Sequence, residues 1–108
     1  MVLLFDQGTP LPLRMYLQAH TVVSAFEKGW SELESGELLA AAEAEGFDAL
    51  LTTDQNLRYQ QNLAGRRIAI VVLLTTNWPR IERNVSLVLD AVTNISLGNY
   101  QEVSFRGV

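Results

Sequence analysis

The sequence predicts an α/β fold, a three-layer α/β/α sandwich around a mostly parallel sheet, on three observations. Short apolar runs bounded by turn residues recur along the chain, as strands buried on both faces do. Segments with helical spacing or strong helix formers separate those runs. No linker, internal repeat or low-complexity tract interrupts the 108 residues, which suffice for one domain with a real core, and 48% of them are apolar. Strands that alternate with helices join by right-handed crossovers into a parallel sheet.

The elements follow in order. Residues 2–5 read as a strand ending at Asp6, and Gln7-Gly8-Thr9-Pro10 as a turn, with Thr9 as helix cap and Pro10 as first helical residue. The helix that follows is short, carrying Leu11, Leu13, Met15, Tyr16 and Leu17, with Pro12 confining its regular part to the residues after the first turn. His20 then precedes residues 21–26, a second strand rich in β-branched side chains. As the chain's one histidine it makes no multi-histidine metal site, and a structural hydrogen bond at a strand entrance is its expected role.

Residues 27–36 are loop-like. Ser35 is the expected N-cap of a helix over 37–45, which places Glu37 in the first turn, where a carboxylate gains from the macrodipole. Gly46 closes that helix, residues 47–53 form the third strand, and Asp54 stands in a turn that opens a polar helix near Gln55. Residues 68–74 are a continuous apolar run, expected as the central strand. Thr75-Thr76-Asn77-Trp78-Pro79 then turns into a helix with Ile81, Val85, Val88, Val92 and Ile95 on one face. Leu87, Leu89 and Ala91 widen that face beyond a single stripe, which predicts a second buried surface and a homodimer or protein partner to cover it. Gly98 ends this helix, and residues 100–105 alternate as an edge strand.

Composition bounds the function. One lysine, Lys28, stands among eight basic residues against twelve acids, for a net charge of -4 and a pI near 4.8. That balance argues against non-specific nucleic-acid binding through a basic surface, though Arg66 and Arg67 form a local pair able to meet phosphates. The lack of cysteine excludes disulfides, thiolate zinc sites and a cysteine nucleophile. The opening MVLLF reads as too short for a signal peptide, and no apolar run approaches the roughly 20 residues that span a bilayer, so a cytoplasmic location without membrane contact is expected.

Ligand sites of open parallel sheets gather beyond the carboxyl ends of the strands. Asp6 and Asp54 both stand at such ends, and Glu37 starts the helix that feeds the third strand from the same edge. The three carboxylates are expected to converge if the first and third strands are neighbours. Two unit charges about 4 Å apart repel by about 4 kcal/mol at an effective dielectric near 20, and a divalent cation relieves that cost. Oxygen ligands favour Mg²⁺ or Mn²⁺, and the matching chemistry is metal-assisted hydrolysis. The competing reading keeps Asp54 as a helix cap and Glu37 as a dipole partner.

LLFDQGTP, GWSELESGELLAAAEAEGFDALLTTDQNLRYQQNLAGRRIAIVVL and the TTNWP turn together resemble the PIN-like domain family, in its short bacterial toxin-like branch, over nearly the whole chain. The resemblance implies one PIN-like domain over residues 1–108, a five-stranded sheet ordered 3-2-1-4-5, an acidic Mg²⁺/Mn²⁺ site and ribonuclease activity as the toxin of a toxin–antitoxin pair. RNA would be the substrate and a small antitoxin-like protein the partner. The family's first aspartate falls on Asp6, and its Thr-x-Asp turn on Thr52 and Asp54, with Thr52 supporting the metal ligands. The family's helix-start acid falls near Glu37, with Glu34 also allowed by the spacing. Gln7 and Ser35 stand where the family often has further acids, so a binding or regulatory module with a degenerate acidic site is the alternative.

Overall fold

The computed structural model describes residues 1–105, and its five strands β1 (Val2–Phe5), β2 (Thr21–Ser24), β3 (Ala49–Thr52), β4 (Ala69–Leu73) and β5 (Tyr100–Val103) form one sheet. Every pairing is parallel, so the predicted α/β class and five-stranded sheet hold.

The strand order is β2-β1-β3-β4-β5, which corrects the expected 3-2-1-4-5. The physical reason lies in the count of strands before the helix that feeds β3. Only β2 lies between β1 and that helix, so one strand is laid on the far side of β1 and the chain then crosses back to place β3 on the near side. A 3-2-1 arrangement needs a second strand beyond β2. The order also makes β3 central, whereas β4, expected to be central, lies between β3 and β5.

Alternation along the strands sorts the core into two clusters. Leu3, Phe5, Ala49, Leu51, Val71 and Leu73 point to one face. There they meet Leu13 from a 3-10 turn at Leu11–Tyr16 and Leu17 just after it, Ile81 from α3 (Trp78–Arg83), and Val88, Ala91 and Val92 from α4 (Val85–Asn94). Leu4, Leu50, Ile70 and Val72 point to the other face, against Leu38, Leu39 and Ala42 of α1 (Ser35–Ala44) and Leu57 of α2 (Leu57–Gln60).

Several local expectations change. Thr9 caps nothing: it is buried, and its hydroxyl donates to the Leu51 carbonyl at 2.8 Å, tying the turn after β1 to β3. Glu34 rather than Ser35 is the N-cap of α1. The single helix expected over 81–95 is broken at Asn84, whose φ of -124° and ψ of 30° leave the helical region. Its side-chain amide donates to the Arg80 carbonyl at 2.9 Å, satisfying a group at the end of α3. The apolar surplus of α4 is largely accounted for within the chain: Ala91 is buried, and Leu87 and Leu89 are half-buried against the same core. No helix among the described residues is long and apolar enough to cross a membrane.

Candidate functional site

The order 2-1-3-4-5 reverses direction between β1 and β3, and in doubly wound sheets the ligand crevice opens at that switch point, beyond the carboxyl ends of the strands. Phe5 is level with Leu51 across the β1–β3 pair, so the next residue, Asp6, comes level with Thr52. The Thr52 hydroxyl, on a side chain only 1% exposed, donates to Asp6 Oδ2 at 2.7 Å. Thr52 Oγ1 in turn accepts the Asp54 N–H at 3.0 Å. Thr52 thus joins the two aspartate turns and satisfies its own hydroxyl in doing so.

One further oxygen of each aspartate is engaged locally. Asp6 Oδ1 accepts the Gln7 N–H at 2.7 Å, and Asp54 Oδ1 accepts the Asn56 N–H at 3.0 Å, an Asx-type turn leading into α2. Glu37 reaches back to accept the Glu34 N–H at 3.2 Å, the return arm of a capping box.

A cleft of about 490 Å³ opens beside Asp6, lined also by Gln7, Ser31, Glu34, Ser35, Gln60 and Gln61. None of its lining residues is basic. Asp6 therefore reaches the cleft as expected, while Glu37 and Asp54 are not among the residues lining it. Glu34, the weaker of the two helix-start candidates in the sequence, is the one that lines the cleft with Asp6, while its side chain also accepts the Glu37 N–H in the capping box. Among the described residues no group of three or more His, Cys, Asp or Glu side chains could hold a metal ion. Asp6, Glu37 and Asp54 do not form such a group; what the structure brings together is Asp6 and the Asp54 turn, joined through Thr52. Glu37 points its carboxylate at its own helix start, and Asp54 lies two residues past the end of β3.

A Cβ on Gly36 would lie 2.8 Å from Gln61 Oε1, so glycine there lets the flexible Gln61 amide rest against the start of α1. Gly8 has a similar role, since a Cβ there would lie 2.6 Å from Thr53 Oγ1. His20 precedes β2 and so lies at the amino edge of the sheet, away from this cleft; its Nδ1 sits 3.1 Å from the Met1 ammonium, and burial followed by that charge holds its pKa below the ordinary value. Comparison with family models, with curated proteins and with solved structures returned no match.

Proposed function

We propose that the chain is a PIN-like binding or regulatory module of toxin–antitoxin type, with a degenerate acidic site that engages a small protein partner through the cleft beside Asp6. The observation that carries this reading is the composition of the cleft. Asp6 and Glu34 supply negative charge, Gln7, Gln60 and Gln61 supply amides, and no basic residue lines it. Such a wall attracts donor-rich cationic side chains and repels an unaccompanied phosphate. A partner presenting arginine or lysine fits it better than an RNA backbone does. The PIN-like assignment itself rests on the sequence motifs, on β1 lying between β2 and the Thr-x-Asp strand, and on the support that Thr52 gives Asp6.

The second reading, a Mg²⁺- or Mn²⁺-dependent ribonuclease of toxin type, is favoured by one observation: Thr52 links Asp6 and Asp54 at the switch point. A divalent ion held there would supply an activated water and charge stabilisation at a phosphodiester. One experiment separates the readings. Thermal melts with Mn²⁺ are run alongside cleavage of a labelled single-stranded RNA with and without EDTA, and alongside binding of a short arginine peptide. The binding-module reading expects no metal-induced shift, no cleavage, and peptide binding that weakens in Asp6→Asn and Glu34→Gln. An EDTA-sensitive cleavage lost in both Asp6→Asn and Asp54→Asn overturns it in favour of the nuclease.

A further inference from the structure

β5 is the outermost strand, paired to β4 on one side, and the other side meets no strand among the described residues. The pairing fixes which of its backbone groups face outward. Ile70 N–H donates to the Asn99 carbonyl at 2.9 Å and Leu74 N–H to the Val103 carbonyl at 3.0 Å. Alternation then turns the polar groups of Gln101 and Val103 toward β4 and those of Tyr100 and Glu102 toward the open edge. The side chains alternate as well. Tyr100 packs on the α1 face of the sheet, while Val103 belongs to the cluster under α4. Gln101 lies on that second face, and with Leu87, Asp90 and Asn94 it borders a groove of about 270 Å³ along the edge.

We propose that this edge pairs with the same edge of a second copy, antiparallel about a two-fold axis through Gln101, to make one continuous sheet across two chains. The outward groups and the symmetry together select the register. Setting Tyr100 of one copy opposite Glu102 of the other engages the outward N–H and C=O of both residues within the strand, and Gln101 then faces its own counterpart. Side-chain chemistry agrees with that register. The Tyr100 hydroxyl donates to Glu102 Oε2 at 2.9 Å within the chain, so the residue types set opposite each other are already a donor and its acceptor. The two Glu102 residues fall on a diagonal, a spacing of about 7–8 Å between their backbone positions. Each also has an Arg58 guanidinium 3.7 Å away to offset its charge. Facing Gln101 side chains pair amide with amide, and the half-buried Leu87 of each copy flanks the groove from above.

The test uses the chain's lack of cysteine. Gln101 facing itself is a non-hydrogen-bonded antiparallel pair, with Cα atoms about 4.5 Å apart, within disulfide reach. Gln101→Cys is therefore expected to oxidise to a covalent dimer in high yield, whereas Tyr100→Cys, Glu102→Cys and Thr93→Cys, on the exposed surface of α4, stay largely monomeric. Glu102→Pro removes an outward N–H at a position where an edge strand tolerates proline. In sedimentation it is expected to weaken association at least tenfold while leaving the melting curve of the dilute protein in place. A wild type that stays monomeric at every concentration overturns the proposal. So does a Gln101→Cys variant that cross-links no better than Thr93→Cys, or unchanged association in Glu102→Pro.

Discussion

Replacing Thr52 by valine probes the centre of the candidate site with almost no change in shape. The hydroxyl is buried, donates to Asp6 at 2.7 Å and accepts from the Asp54 N–H at 3.0 Å, so Thr52→Val removes both bonds at once. Asp6 and Asp54 are only partly buried, and water can replace part of what the carboxylate loses. The Asp54 N–H is the harder group to re-satisfy. An unsatisfied donor of this kind costs about 1–3 kcal/mol, and partial hydration brings the expected loss to about 1–2 kcal/mol. At roughly 4–8 °C per kcal/mol for a small domain, the melting temperature should fall by about 5–15 °C. Thr52→Ser keeps the oxygen and should lose much less. Urea melts of Thr52→Val, Asp6→Ala and the double variant supply the decisive number, because residues joined by a hydrogen bond should couple by about 0.5 kcal/mol or more. If Thr52→Val lies within about 0.5 kcal/mol of wild type, or if the two losses simply add, the hydroxyl is not holding the two turns together.

Three further outcomes follow from the same geometry. Glu37→Ala should lower stability by about 0.5–1 kcal/mol through loss of the capping arm, and leave peptide binding in the cleft untouched, whereas Glu34→Gln should weaken that binding; a calorimetric titration of both variants checks the assignment. Gly8→Ala should cost about 1–3 kcal/mol in a chemical melt because the new Cβ meets the short Thr53 side chain, while Gly36→Ala should cost little because the Gln61 amide it meets can swing away. Burial pushes the Glu43 carboxyl up, but the Arg66 guanidinium at 2.6 Å and the N–H groups of Arg67 and Ile68 outweigh it and hold its pKa below the ordinary 4.5. The folded value being the lower one, this contribution is present above about pH 4.5 and is lost as pH falls through the folded pKa, so the stability gap between wild type and Glu43→Gln should close in acid.

β1, β3 and β4 were legible because each is a short apolar run with a turn signal at its end, and burial on both faces leaves that pattern little freedom, whereas β5 showed only as an alternation. β3 and β4 are buried at every position, and the apolar runs that announce them contain their bounds. The 3-10 turn and the break at Asn84 were not legible, since both depend on contacts distant in sequence. Leu11 and Met15 looked like helix core residues, yet they are 55% and 72% exposed, because a turn with three residues per repeat presents a different side from an α-helix. Only Leu13 and Leu17 of that apolar set face the sheet.

Strand order escaped the sequence for a different reason. Hydrophobic pattern states that a run is a strand but not on which side of its predecessor it is laid. That choice decides the site as well. Once β3 pairs with β1, register sets Asp6 level with Thr52, and Asp54 falls two residues further along, in the turn. Reading the two aspartates as partners treated both as strand-end residues of equal depth. Parallel pairing makes the threonine the true neighbour and leaves Asp54 connected through it. Glu37 was subject to the same difficulty, because a helix start at the correct edge places four backbone N–H groups there as well as a side chain, and the carboxylate turns to the nearer of them. Glu34, one turn earlier and outside the helix proper, is the helix-start acid that shares the cleft lining with Asp6.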